Sequence, residues 1–489
     1  MDQRGFYQPH RAWVGDVIPW QEEGVFHLYY LHETRRVPKD GMPWRRISTE
    51  NLIDFREHHD GIASGGADSD DFNVYTGSIV RDEDGLHHAF YTGQNPDRLG
   101  PDGLPLQLVM HATSTDGMAT WNRHPEHTFG ATGGYETADW RDPFVFRDER
   151  EGLWRMLITA RHDDGPHRRR GVIAQCTSRD LAHWEPAAPF WSPRRCVAHE
   201  CPEVFRWGDW WYLVSSEFSD AFVTRYRMAR SLDGPWIVPT HDTLDSRAFY
   251  AAKSASRGDR RLFFGWIATR EGGADDGAWQ WAGTMSVIEA EQRADGTLAF
   301  HPTSELRATF GAPTALLPAG TALSAPDGYR QMLSEHAVDE SFRLVARFRT
   351  DDDTRECGVV LRVGDDEDSG YVLRLEPHRG RLVFDRWPRR ATGTEQWQIS
   401  GDVPFLIELE RPVDLGPGEH VLDVIVDGEL CVATVDDSVV LSTRLYDHPS
   451  GRVGVFVGEG EATVLDLTLH SRDRSAVVMP QHDLVATSA

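Results

Sequence analysis

"RDEDGLHHAFYTGQ" (81–94) is a polar turn closing on Gly85, followed by a strand in which aromatic and small residues alternate. The same element recurs as "WQEEGVFHLYYLHE" (20–33), "RDEREGLWRMLITAR" (147–161), "RWGDWWYLVSSEF" (206–218) and "SRGDRRLFFGWIATR" (256–270). Behind four of the copies comes a Ser/Thr-rich turn ending on an aromatic residue: "STENLIDF" (48–55), "TSTDGMATW" (113–121), "TSRDLAHW" (177–184) and "ARSLDGPW" (229–236). The closing aromatics Phe55, Trp121, Trp184 and Trp236 stand roughly 50 to 65 residues apart, the length of one four-stranded β-propeller blade. Five copies predict a five-bladed propeller over residues 1–305. An open all-β sandwich also alternates, but it has no reason to repeat turn and closing aromatic together.

Beyond "HPTSELRATFGAPTALLPAGTALSAPDG" (301–328) tryptophan nearly vanishes, and 306–328 reads as a linker. Segments such as "SFRLVARFRT" (341–350), "CGVVLRVG" (357–364), "GYVLRLEPH" (370–378) and "HVLDVIVDG" (420–428) alternate between Gly and Asp turns, which predicts an antiparallel β-sandwich over 329–475. Residues 476–489 read as a tail. The acidic turns "TDDDTRE" (350–356) and "GDDEDSG" (364–370) lack the ordered ligand spacing of a calcium loop and read as solvated.

Composition narrows the function classes. With 51 Lys and Arg against 77 Asp and Glu, the net charge of −26 repels phosphate backbones and anionic lipid, so neither nucleic acid nor a membrane is expected as partner. No apolar run is long enough to span a bilayer, and "MDQRGFYQPHR" (1–11) lacks a signal-peptide core. Five cysteines without CxxC spacing suggest neither disulfides nor zinc, and a cytoplasmic protein is expected. The pairs His58-His59 and His87-His88 have no third ligand at metal spacing, and no phosphate loop or dinucleotide fingerprint follows a strand. No metal and no cofactor are therefore expected. The 17 tryptophans offer flat faces that stack on sugar rings and point to a carbohydrate.

Three carboxylates interrupt apolar, aromatic-flanked strands: Asp16 in "HRAWVGDVIPW" (10–20), Asp142 in "DWRDPFVF" (139–146) and Glu200 in "AHECPEVF" (198–205). Each precedes the turn-and-aromatic-strand element of its own repeat, which places acids at equivalent positions of blades one, three and four. Inner strands of a propeller face a common axis, so the three acids are expected to share one funnel. Alone, Asp16 also reads as a turn cap near Pro19, Asp142 as a turn residue beside Pro143, and Glu200 competes with Glu203. Together they suit glycosidic cleavage, which needs one carboxyl to protonate the leaving oxygen and another to attack the anomeric carbon or activate water. A third carboxylate, kept ionised near an Arg, supports the oxocarbenium-like transition state.

At these residues the sequence resembles glycoside hydrolase family 32, the β-fructofuranosidases. "WRDPFVF" matches the family's Arg-Asp-Pro motif and "HECPEVF" its Glu-Cys motif, while "VYTGSIV" (74–80), "AFYTG" (89–93) and "FYAAKSAS...RRLFFGWI" (249–267) resemble further inner segments. The resemblance implies Asp16 as nucleophile, Glu200 as general acid/base and Asp142, beside Arg141, as transition-state stabiliser. It further implies double displacement with retention on fructans, fructo-oligosaccharides or difructose anhydrides, by hydrolysis or by transfer. The departures cluster in the first blade. Where the family has Trp-Met-Asn-Asp-Pro-Asn-Gly, this chain reads "WVGDVIPW", so Gly15 replaces an Asn, and "HLYYL" puts Leu31 where a Gln would touch the sugar.

Trp13, Trp44, Tyr75, Thr76, Arg141, Tyr250 and Trp281 are the expected substrate contacts, although any of these aromatics also suits packing between blades. Two other readings stay open on the sequence alone: an inverting furanosidase of arabinanase type, and a non-catalytic carbohydrate-binding propeller. The sandwich is expected to buttress the propeller.

Overall fold

The computed structural model describes residues 5–58, 61–219, 221–388 and 407–472. His59 and the 476–489 tail lie outside the described residues. The first part of the chain pairs as five consecutive antiparallel units. These are Trp13–Glu22, Val25–Glu33, Trp44–Thr49 and Arg56–His58; Asn73–Arg81, His87–Leu99, Pro105–Ser114 and Asn122–Arg123; Tyr135–Asp148, Leu153–His162, Gly171–Ser178 and Glu185–Pro186; Ala198–Trp207, Trp210–Phe218 and Val223–Ala229; and Phe249–Arg257, Arg260–Arg270, Trp279–Gln292 and Leu298–Pro302. The quoted repeats supply the second strand of each unit.

The first strands of the units touch their neighbours in a closed cycle, the fifth returning to the first. At the seam, Tyr7 and Met285 exchange backbone hydrogen bonds of 3.1 and 2.8 Å and Val14 pairs with Gly283, which joins the first and fifth units in one eight-stranded sheet. Alternation gives each sheet two apolar faces, and these pack face to face around the propeller. Trp44 lies between Tyr29 and Tyr91 in the layer joining the first two units, and the closing aromatic Trp184 meets Phe90 edge-on at 5.5 Å in the next. A fully buried ring such as Phe90 contributes about 1.5–3 kcal/mol to this layer.

Every first strand breaks register at the same level: between Val14 and Val17, Tyr75 and Gly77, Arg141 and Phe144, Glu200 and Glu203, and Tyr250 and Lys253. Such bulges bend a strand and re-aim its side chains. Asp142, Cys201 and Ala251, each the first unpaired residue of its bulge, have φ of 56°, 50° and 52°. This left-handed backbone is costly for non-glycine residues and is held by the surrounding sheets.

The remaining strands form an eleven-stranded assembly organised by Arg452–Ser471, which pairs along its first half with Glu356–Val363 and along its second with Ser341–Thr350, so one long strand serves both layers of the sandwich. The 306–328 stretch, expected as a linker, is structured. Thr314–Ala315 and Thr321–Leu333 are strands paired with Arg452–Ser471. Its Pro- and Gly-rich composition resembles a connector because edge strands tolerate those residues.

The two parts interlock through buried polar groups. Arg444 donates to the carbonyls of Ala268 and Ile267 and to Thr284 Oγ1 at 2.7, 2.8 and 2.7 Å, and Asp245 accepts Ser442 N–H and O–H at 2.8 and 2.6 Å. One apolar cluster runs across the junction, from Tyr212 and Phe263 to Leu344 and Val424. All five cysteines are buried and unpaired, and among the described residues no helix is long and apolar enough to cross a membrane.

Candidate active site

The bulges surround a cavity of about 640 Å³, and Asp16, Asp142 and Glu200 all line it. Asp16 is the second unpaired residue of the first bulge. Its Oδ2 accepts the Thr76 hydroxyl and its Oδ1 the Trp266 indole N–H at 3.1 Å. Burial, and then the negative charge of Asp142, push its carboxyl up to about 6, and the two hydrogen bonds offset only part of that rise. The Cys201 thiol lies 3.6 Å from Asp16 Oδ2, and burial raises its pKa well above that of an ordinary thiol, so it stays a neutral S–H donor.

Asp142 is the most firmly fixed of the three. Its Oδ2 accepts Thr159 Oγ1–H at 3.0 Å and the Cys201 N–H at 2.9 Å, and its own N–H donates to Thr92 Oγ1 at 2.8 Å. Glu200 accepts the Tyr250 hydroxyl on Oε2 at 2.7 Å and Arg141 Nη2–H on Oε1 at 3.0 Å. Burial raises its pKa, and the Arg141 guanidinium counters that rise. Arg141 is held in turn by Asp139 Oδ1 at 2.5 Å and Gln107 Oε1 at 3.3 Å.

The acids do not sit at equivalent positions of the repeat, as expected from the sequence. Aligned on the bulges, Asp16 is the second unpaired residue, Asp142 the first, and Glu200 the last paired residue before the bulge. Three different offsets let three carboxylates approach one cavity from different heights, which identical offsets could not do. The signal that betrays them is an acid within an apolar, aromatic strand, whatever its exact register.

Of the expected substrate contacts, Tyr75, Thr76, Arg141, Tyr250 and Trp281 line the cavity. Trp44, expected among them, does not: it is 1% exposed, its indole N–H donates to the Tyr75 carbonyl at 3.0 Å, and its ring belongs to the packing layer, so no sugar reaches it. Trp13 does not line the cavity either. The Arg35 guanidinium covers its ring, 4.0 Å from the centroid. Arg35 had no signal in the sequence, yet it reaches Gln280 Oε1, Thr269 Oγ1 and the Trp281 carbonyl at 2.8, 2.7 and 2.9 Å, tying the mouth of the first unit to the fifth. Phe222, also unforeseen, stacks on Tyr250 with centroids 3.8 Å apart and helps wall the cavity.

The eroded first motif has a steric cause. A Cβ at Gly15 would meet Trp281 Cη2 at 2.5 Å and Leu31 Cβ at 2.9 Å, so the indole occupies the space that an amide side chain at position 15 would need. Trp281 closes this side of the cavity next to Asp16, in edge contact with Trp266.

Chemically, the site offers two carboxyls whose pKa burial raises, Asp16 and Glu200, each held by two donors, and a third, Asp142, fixed by backbone and hydroxyl. Residues 6–302 match the model of the glycosyl hydrolases family 32 N-terminal domain. The raffinose invertase of Escherichia coli is 24% identical over 464 residues, which covers 91% of this chain and 90% of that one. The sucrose-6-phosphate hydrolase of Escherichia coli is 25% identical over 485 residues, covering 93% and 92%. The crystal structure of fructan 1-exohydrolase IIa from Cichorium intybus superimposes with a TM-score of 0.75 at 16% identity, over 96% of this chain and 98% of that chain, a likeness of fold. With its propeller, its sandwich and a family match over its first 300 or so residues, the chain belongs to glycoside hydrolase family 32.

Proposed function

We propose that the chain cleaves β-fructofuranosides by double displacement with retention. Asp16 attacks the anomeric carbon, Glu200 gives its proton to the departing glycosidic oxygen, and an ester joins the fructosyl group to Asp16. Water then attacks the same carbon, Glu200 takes its proton, and the Asp16 carboxylate leaves. Asp142 holds sugar hydroxyls and supports the positive charge that develops on the ring. The observation that carries this reading is geometric: Asp16, Asp142 and Glu200 line one cavity, with Glu200 held between Tyr250 and Arg141 and its pKa raised by burial, and Asp16 held by Thr76 and Trp266. Residues 1–305 form the catalytic part, and the 329–475 sandwich supports it. Five unpaired, buried cysteines suit a cytoplasmic setting.

Turnover of sucrose, raffinose, inulin, levan, difructose anhydrides and arabinofuranosides, with product analysis, tests the substrate class. Release of fructose is expected. Release of arabinose with no turnover of any fructoside would replace this reading with the pentosidase one.

A further inference from the structure

On the outer side of the second unit, four histidines gather from three elements: His88 in the His87–Leu99 strand, His111 in Pro105–Ser114, and His124 and His127 at the turn Pro125–His127. None of them lines the central cavity. The partners of His88 arrive only through strand pairing, so its spacing along the chain gave no sign of them.

The four rings are ordered by a relay of hydrogen bonds. His88 Nε2 lies 3.2 Å from Asp82 Oδ2, His88 Nδ1 lies 2.9 Å from His111 Nε2, and His111 Nδ1 lies 2.9 Å from His127 Nδ1. An ionised carboxylate only accepts, so the protons of neutral rings run one way. His88 donates to Asp82, His111 donates to His88, and His127 donates from Nδ1 to His111. That leaves the lone pair of His127 Nε2 without a role in the relay. A ring that donates one nitrogen to such a chain and offers the other is the usual arrangement of a metal-binding histidine.

His124 completes the arrangement. Its Nε2 lies 2.8 Å from Thr113 Oγ1 and its Nδ1 lies 3.2 Å from Glu126 Oε1. With the proton on Nε2, two acceptors face each other at 3.2 Å, close to the edge of about 3.3 Å that bonds of 2.0–2.1 Å give in a tetrahedral site. One donor atom from each of His124, Glu126 and His127 lies within 4.8 Å of the other two.

We propose that His124, Glu126 and His127 bind one divalent transition-metal ion of the zinc class, supported from behind by Thr113 and by the His111–His88–Asp82 relay. Two imidazoles and a carboxylate suit Zn²⁺, Ni²⁺ or Cu²⁺ and not Mg²⁺ or Ca²⁺. The ion pins the outer edge of the second unit and takes no part in glycoside cleavage.

The test adds Zn²⁺ or Co²⁺ alone to the tag-free full chain stripped with a chelator. Calorimetry is expected to give one Zn²⁺ per chain and a higher unfolding temperature, and Co²⁺ a visible absorption band. Both are expected to vanish in His124→Ala and His127→Ala. The exposed Glu126→Gln tests the third ligand without risk to folding. Asp82→Asn touches no ligand, and it is expected to weaken Zn²⁺ about 10- to 100-fold while leaving glycoside turnover unchanged. Absence of Zn²⁺ binding, a stoichiometry that survives the histidine variants, or an affinity indifferent to both Glu126→Gln and Asp82→Asn would overturn the proposal.

Discussion

Arg141 Nη2 lies 3.0 Å from Glu200 Oε1, so a half-buried guanidinium counters the rise that burial gives the carboxyl proposed to carry a proton in the first step. On the proposed mechanism the pair is expected to set the alkaline side of the pH profile. Removing the cation in Arg141→Met raises the pKa of Glu200 further, and the alkaline limb of kcat/KM is expected to move to higher pH. Loss of a charged hydrogen bond of about 1.5–3 kcal/mol lowers the maximum roughly 10- to 100-fold. A pH–rate profile checks both, and an unmoved alkaline limb would remove Glu200 from the acid role.

Asp16 has the opposite effect on stability from its effect on catalysis. Its carboxyl titrates near 6 in the folded protein and near 3.8 when exposed, so the folded state binds the extra proton between those values. Stability from this group is complete below about pH 3.8 and is lost as pH rises through 6, which costs about 1–3 kcal/mol at pH 7. Asp16→Asn is therefore expected to stabilise the fold at pH 7, with the gain fading toward pH 4, while kcat falls about 10⁴-fold or more. Denaturant melts at pH 4 and 7 beside the kinetics measure both.

Gly15 and Trp281 exclude each other's alternatives. Gly15→Asn forces the indole away from Asp16 and is expected to cost about 1–3 kcal/mol, with a raised KM and red-shifted tryptophan fluorescence. In a Trp281→Ala background the same substitution is expected to cost less, down to what the Leu31 contact leaves, and a double-mutant cycle reads the coupling directly.

Arg444 serves three acceptors across the junction of propeller and sandwich. Arg444→Met leaves the Ala268 and Ile267 carbonyls and the Thr284 hydroxyl buried without that donor, and about 3–5 kcal/mol of stability is expected to be lost. Calorimetry should then resolve two transitions where the parent protein gives one.

Where local pattern carries the information, the sequence was legible. Asp16, Asp142 and Glu200 stand out because ionisable residues on apolar strands need a reason, and the repeats announce the second strand of every unit. What escaped depends on contacts between elements distant in sequence. Arg35 meets Gln280, 245 residues away, and the His88 relay spans three elements that only strand pairing unites. Trp44 misled because alternation marks a side chain as buried without saying whether it faces the cavity or the neighbouring sheet. The 306–328 stretch misled because edge strands and connectors share a composition.

The central claim is that Asp16 and Glu200 perform two displacements at one carbon. It is tested most directly by letting the enzyme cleave its best fructoside in aqueous methanol and identifying the methyl glycoside by NMR. That product does not mutarotate. Methyl β-fructofuranoside is the predicted product, and the α-anomer would contradict a covalent intermediate on Asp16.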